Sequence, residues 1–334
     1  MKNYIVFDLE WNQSAEGKEC SVEHMPFEII EIGAVKLNRQ MKQISEFHRL
    51  VRPKAYKEMH FKISEVTHMD MEELCKKGQP FPVVMEDFLN WCGEDEYVFC
   101  TWGNQDVMEL QRNMKYYGML SLLPGPVTYY DVQKIYGICH EEAGGRRSLE
   151  FAIDQMGIPK AQDFHRALTD ARYTGDIFKT LEPAAVCVNS SIDVYQNPKN
   201  KKEEIFISYP TYDQYVSREF ADKEKVMKDR EVASTRCPVC HMPAKRRIRW
   251  FMNNSRAYES VSLCQKHGYI KGKVRIRHTD EDAYYAIKKL KRIEEKDAEE
   301  IREKICNEKD SKVLNGWLKQ AAKAESIDEF VSKM

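Results

Sequence analysis

Tyr4-Ile5-Val6-Phe7-Asp8-Leu9-Glu10 is the stretch on which the fold turns. Four β-prone residues in a row leave no polar face, so the run reads as a central strand buried on both sides. It ends in two acids at i and i+2. Strand alternation puts Asp8 and Glu10 on one face, about two residue rises apart. A solvated strand end is the ordinary reading of such a pair. On an otherwise buried strand, however, two acids on one face are costly unless a cation lies between them.

Outward from this strand, residues 28–37 and 45–51 read as two more strands, the latter stopped by Pro53. The pattern then changes period. Residues 82–92 predict a helix after a proline suited to a first turn, and 97–101 predict a strand. Residues 105–117 predict an amphipathic helix closed by Gly118, followed by a strand over 127–131. Ser148 caps a helix over 149–156, and a last helix spans 167–181 before Pro183. A three-strand meander followed by strands alternating with helices predicts a layered α/β or α+β unit.

Two further acidic motifs stand at element edges. Trp102-Gly103-Asn104-Gln105-Asp106 joins a strand to a helix, and His165-Arg166-Ala167-Leu168-Thr169-Asp170 runs into the last helix. Taken singly, Asp106 is an ordinary first-turn acid favoured by the helix dipole, and a lone histidine is more often structural than catalytic. Together the three motifs offer four carboxylates and one histidine. Carboxylates gathered at one place repel and need divalent cations to be stable. Oxygen donors suit hard ions, and two such ions stabilise the attacking and leaving oxygens of phosphodiester cleavage.

A strand-borne Asp-x-Glu, a Trp-Gly-x-x-Asp and a His-x-x-x-x-Asp, in this order, resemble the DEDDh family of 3′–5′ exonucleases. Residues 28–35 resemble that family's second strand, and residues 61–67 its short segment near the nucleotide pocket. The resemblance covers residues 1–181. It implies a ribonuclease H-like fold, a five-stranded mixed sheet flanked by helices. It also implies two Mg²⁺ or Mn²⁺ ions, with Asp8 bridging both. Glu10 and Asp170 would complete the site of the ion that holds the attacking water, and Asp106 would serve the other. His165 would be the general base, a role suited to an imidazole of near-neutral pKa. Leu9, Trp11 and Asn12 lie beside the first acids as contacts for the terminal nucleotide. Trp102 is a candidate for stacking on a base, although a packed aromatic is an equal reading. Asn104-Gln105-Asp106 is shorter than the corresponding pattern of polymerase proofreading enzymes. The Trp-Gly lead is closer to the subgroup that trims RNA 3′ ends and to related exonucleases of spore-forming bacteria.

Beyond Pro183 the chain changes character. Cys237-Pro238-Val239-Cys240 and Cys264-Gln265-Lys266-His267 form a CxxC…CxxH pair. Four such donors in two knuckles match one structural Zn²⁺ in a zinc ribbon or treble clef. His241 is a possible substitute ligand that breaks the knuckle spacing. Residues 247–252 and 258–263, between the knuckles, read as strands. Residues 236–278 hold eleven Lys and Arg against one acid, Glu259, with Trp250, Phe251 and Tyr269 interleaved. Such a module reads as a nucleic-acid grip, with a basic surface balanced by later acidic helices as the plainer reading.

A length of 334 residues suits more than one domain. The expected organisation is an exonuclease unit over 1–182, a linker and helical connector over 183–235, the basic zinc module over 236–278, and C-terminal helices over 279–334. Within the last, Ala283, Ile287, Leu290 and Ile293 fall at helical spacing, and a short helix is expected near 313–322. The net charge of −1 advertises no polyanion partner for the chain as a whole. No signal core or membrane-length apolar run is visible, and the other cysteines are scattered. These features predict a cytoplasmic protein with reduced thiols and no membrane partner. The expected activity is release of nucleoside monophosphates from single-stranded RNA or DNA 3′ ends. The alternatives are a non-catalytic nucleic-acid-binding protein on a nuclease fold and a proofreading subunit of a polymerase.

Overall fold

The structure is a computed structural model that describes every residue except 1, 141–145, 161–163 and 304–334. The chain divides into two compact units, Met1–Asn197 and Pro198–Met334.

In the first unit, β1 (Asn3–Asn12), β2 (Glu28–Leu37) and β3 (Gln43–Leu50) form an antiparallel meander. Helices α1 (Phe61–Thr67), α2 (Met71–Lys77) and α3 (Phe81–Cys92) follow. Then come β4 (Tyr97–Thr101), α4 (Gln105–Tyr116), β5 (Val127–Asp131), α5 (Val132–Cys139), α6 (Leu149–Gln155), α7 (Ala167–Thr180) and α8 (Pro183–Val188). β6 (Ser191–Asp193) closes the unit. The sheet order is β3-β2-β1-β4-β5-β6, with β4 parallel to β1 and β5 parallel to β4. The sheet therefore has six strands where five were expected. The extra one is β6, antiparallel on β5, from a polar stretch that reads as linker because three residues carry too little pattern to show.

β1 is buried on both faces, as its apolar run requires. Ile5, Phe7 and Leu9 enter one core with Phe88 of α3 and Val107 and Leu110 of α4. Val6 enters the other core with Val35, Ile177 and Phe178, beneath α7. Asp8 and Glu10 share the parity of Val6, so alternation turns them toward α7.

The second unit keeps the two strands expected over 247–252 and 258–263 but departs from expectation around them. β7 (Ile205–Ser208), β8 (Tyr212–Val216), β9 (Lys245–Met252), β10 (Tyr258–Cys264), β11 (Gly268–His278) and β12 (Tyr284–Arg292) form one antiparallel sheet. Its order is β7-β8-β12-β11-β10-β9, with α9 (Lys223–Val226) and α10 (Arg230–Ala233) in the connection between β8 and β9. The helical connector expected within 183–235 thus holds strands β7 and β8 and two short helical turns. The helix expected from Ala283 to Ile293 is β12, paired on both edges. Its period of two is disguised by Lys288, which occupies an inward position at 4 % exposure. Its Nζ donates to the carbonyls of Glu231 and Ser234 at the end of α10, so the charge is met by oxygen rather than water. Among the described residues, 295–303 are helix as expected of the C-terminal stretch, and the helix expected near 313–322 lies outside the described residues. Among the described residues, no helix is long and apolar enough to cross a membrane.

Candidate active site

The parallel ladder between β1 and β4 stops at Val6 and Cys100. Beyond that point β1 continues without β4 beside it, and its backbone is open on that side. Asp106, in the first turn of α4, fills the opening, its Oδ1 accepting from the Leu9 N–H at 3.3 Å. This is the crevice at the carboxyl ends of parallel strands where α/β sheets place ligands. The turn into α4 depends on Gly103, whose φ of 110° suits glycine and whose carbonyl accepts from the Thr101 hydroxyl at 2.8 Å.

Asp170 arrives from the other face. It lies in the first turn of α7, and that turn sits directly on β2. A Cβ at Gly33 would lie 2.0 Å from the Leu168 nitrogen and 2.2 Å from the Ala167 carbonyl carbon, so only glycine admits this approach. Gly33 is the cross-strand partner of Asp8, which places the start of α7 over the first acid. Ligand atoms of Glu10, His165 and Asp170 all lie within 4.8 Å of one another. His165 is exposed, adopts a left-handed φ of 64°, and donates its backbone N–H to Asp170 Oδ2 at 3.1 Å.

The electrostatics are those of a crowded anionic site. Burial first, then Asp106, Glu10 and Asp170, push the Asp8 carboxyl well above its ordinary range. Burial, Asp170, Glu31 and Asp106 push Glu10 up to about 8, against the pull of Arg166. Burial raises Asp106 to about 7 despite backbone donors from Asp106 itself and Leu9, and raises Asp170 to about 7 despite the His165 N–H. Asp170 Oδ1 and the Thr174 hydroxyl one turn later are buried and have no hydrogen-bond partner among the described residues. Unpaired buried oxygens facing a cluster of carboxyls are the donor set that a hard divalent cation satisfies.

The four candidate nucleotide contacts differ in what they have free. Leu9 is buried in the core, and its N–H is committed to Asp106. Asn12 is fully buried, donating to the Glu58 carbonyl at 2.8 Å and accepting from the His60 N–H at 3.0 Å, so it anchors the segment before α1. Trp11 is half-buried against Phe27. Trp102 is half-buried against Tyr136 and donates Nε1 to the Arg147 carbonyl at 3.2 Å.

One buried acid of the site lies outside the three sequence motifs. Glu31 is fully buried and directly opposite Glu10. Burial would raise its carboxyl, but His48, Arg166 and the Ala167 N–H hold it down at about 2. Arg166 grips it through Nε at 3.2 and 3.3 Å and Nη2 at 2.8 Å, and the Ala167 N–H donates at 3.0 Å. Glu31 is thus the N-terminal anion of α7 and sets the position of the turn that carries Asp170. The signal was present, since acids at 28 and 31 interrupt an apolar strand without alternating.

In the second unit Cys237, Cys240, Cys264 and His267 bring their ligand atoms within 4.8 Å of one another. Cys237 Sγ lies 3.4 Å and Cys264 Sγ 3.7 Å from His267 Nδ1, and the sulfurs of Cys240 and Cys264 are 3.8 Å apart. A tetrahedral zinc with ordinary bond lengths needs sulfur–sulfur edges of about 3.8 Å and sulfur–nitrogen edges of about 3.6 Å. The cluster fits that ion. The backbone N–H groups of Lys266 and His267, together with the His267 ring, bring the Cys264 thiol down to about 6, which favours the thiolate a metal requires. His241 does not join the cluster. Its Nδ1 lies 3.4 Å from Asp213 Oδ2.

A family model described as an exonuclease, RNase_T, matches residues 5–178. Among solved structures, the nuclease domain of 3′hExo, a DEDDh family member bound to rAMP, is 19 % identical over 57 % of this chain and 96 % of that one, with a TM-score of 0.47. Exonuclease I of E. coli in complex with a dA16 oligonucleotide is 13 % identical over 61 % of this chain and 45 % of its own, with a TM-score of 0.45. Pop2p of S. pombe in its Mg²⁺- and Mn²⁺-bound form is 16 % identical over 53 % and 81 %, with a TM-score of 0.40. No curated protein matches the chain.

Proposed function

The chain belongs to the exonuclease family whose model it matches over residues 5–178, and we propose that it is a metal-dependent 3′–5′ exonuclease that releases nucleoside monophosphates from RNA or DNA ends. One observation carries the reading. Four carboxyl groups from β1, α4 and α7 converge where β1 outruns β4, and their protons are held above the ordinary carboxylate range.

Asp8, Glu10, Asp106 and Asp170 would hold two Mg²⁺ or Mn²⁺ ions. When bound, such ions supply charge for the attacking and leaving oxygens of an in-line displacement. The chain's own residues do the rest. Glu31 and Gly33 fix the first turn of α7, so Asp170 is delivered at a set depth. The Asp170–His165 backbone hydrogen bond holds the imidazole at the rim, where a ring nitrogen takes the proton of the attacking water. Trp11 and Trp102 are the candidates for contact with the terminal nucleotide. Leu9 and Asn12 act by shaping the floor of the site rather than by touching substrate through their side chains. Cys237, Cys240, Cys264 and His267 would hold one structural Zn²⁺.

The test is digestion of a 5′-labelled single strand with Mn²⁺. The expected result is a ladder of shortened labelled strands with release of mononucleotides. A strand that is bound but left whole would reduce the protein to a binding module on a nuclease fold.

A further inference from the structure

The sheet of the second unit has one face that is closed and one that is charged. On the closed face, Val274 and Ala286 pack on Val226 of α9 and Val232 of α10, and Ile270 and Leu290 pack on the cysteine cluster. The residues between them on β11 turn the other way. Lys271, Lys273, Arg275 and Arg277 occupy alternate positions of β11, spaced about 6.8 Å apart along the strand. Register then doubles the charge, because Lys291 pairs directly across from Lys271, and Lys289 across from Lys273.

Like charges directly opposite each other on one face of a sheet are destabilising. Glu259 of β10 answers this row, at 3.2 Å from Lys271 and 3.6 Å from Lys273. Among the described residues, Arg275, Arg277 and Lys291 have no ion-pair partner, and all three are exposed. Tyrosines share the face in register. Tyr285 lies across from Arg277, and Tyr212 lies across from Lys291, with its ring under the Lys289 ammonium at 4.9 Å. The Val261 end of the same face is covered by the helix that begins at residue 295, through Ala298 and Ile301. The cationic rows on β11 and β12 extend beyond that cluster.

We propose that this face of β11 and β12 is a binding surface for single-stranded nucleic acid, with phosphates on the six cations and a base against Tyr285, whereas Tyr212, stacked on Tyr209, holds the Lys289 ammonium in place. A polyanion removes the lateral repulsion that the sheet otherwise carries, and counterion release makes the contact favourable at low salt. A flat face with cations and aromatic rings interleaved suits a strand whose bases are free to stack, and gives little sequence preference. The inference rests on the exonuclease reading for the identity of the polyanion. It differs from that reading in placing strand affinity on residues that take no part in hydrolysis.

The experiment uses the full chain with Asp8→Asn, so that the strand survives the measurement. Anisotropy of a labelled oligonucleotide of about twenty nucleotides is followed across a salt series, with and without Arg275→Ala, Arg277→Ala and Lys291→Ala together. The triple variant is expected to bind at least about tenfold more weakly and to lose about 2 from the slope of log K against log salt. Tyr285→Ala is expected to weaken binding by about tenfold with the slope unchanged. Equal zinc content and thermal unfolding would show that the sheet is intact in each variant. With Asp8 restored, hydrolysis of a dinucleotide by the triple variant is expected to equal that of the unaltered chain. Unchanged affinity and slope would overturn the inference, as would tighter binding of polyglutamate than of the oligonucleotide. A chain that binds through this face but hydrolyses no 3′ end would sink the exonuclease reading and leave this one standing.

Discussion

The carboxylate cluster of the first unit and the cysteine–histidine cluster of the second each gather four or more donors, but from opposite materials. Asp8, Glu10, Asp106 and Asp170 come from a strand and the first turns of two helices, brought together by a sheet that ends unevenly. Their oxygens repel, and burial together with that repulsion raises their pKa values toward 7 and 8. Cys237, Cys240, Cys264 and His267 come from two tight turns. There the backbone donates to sulfur and brings a thiol down to about 6. The comparison teaches that one set of donors is crowded by its own charge, as the proposed recruitment of ions requires, whereas the other is already drawn together by its backbone, as the proposed single zinc requires.

The sharpest way to break this contrast is Asp170→Asn. It removes one anion and leaves the shape of α7, so turnover is expected to fall by about a thousandfold or more while unfolding is little changed. Retained turnover in a single-turnover assay would remove Asp170 from the metal site. Zinc removal comes next. Chelation, or Cys264→Ser, is expected to abolish the thermal transition of the second unit, because structural zinc supplies folding free energy outright. Dinucleotide hydrolysis should survive it. A zinc content below about one per folded chain would contradict the assignment.

The smallest effect concerns protons. The four carboxyls have folded-state pKa values raised above their unfolded values, so the folded protein holds more protons between about pH 4 and pH 8. The contribution of Glu10, Asp106 and Asp170 to stability is complete at about pH 4 and is lost as pH rises through 7 to 8. Without divalent ions, the melting temperature is therefore expected to fall by several degrees between about pH 5.5 and 8.5. Mn²⁺ should remove most of that slope. Glu31 works in the opposite sense. Held at about 2, it stabilises above the ordinary carboxylate range and loses that contribution only as pH falls toward 2. A flat metal-free profile would show that the carboxyls are not mutually strained.

Much of the first unit was legible because its signals are local. β1 announced itself by an unbroken apolar run, and alternation alone put Asp8 and Glu10 on one face. The proline and serine signals marked α3 and α6 to within a residue. The second unit showed β9 and β10 but hid β12 for an equally physical reason. Lys288 points inward on β12 and is satisfied by carbonyls far away in sequence, so the hydrophobic period of two fails where it should be clearest. With that position read as outward, Ala283, Ile287, Leu290 and Ile293 match a helix. Three-residue β6 had no pattern to offer, and its place is given by the edge of β5.

The sequence by itself determined the donor types, the order of the motifs and the two knuckles, since each is a matter of residue identity and short spacing. Tertiary structure alone decided that β1 outruns β4 and that Asp106 fills the gap. It also decided that Glu31 clamps α7 over Gly33, and that two rows of like charge face each other across β11 and β12. Those are facts of register and close approach. They depend on which backbone lies opposite which, and a repulsion or a 2.0 Å contact exists only once the strands are paired.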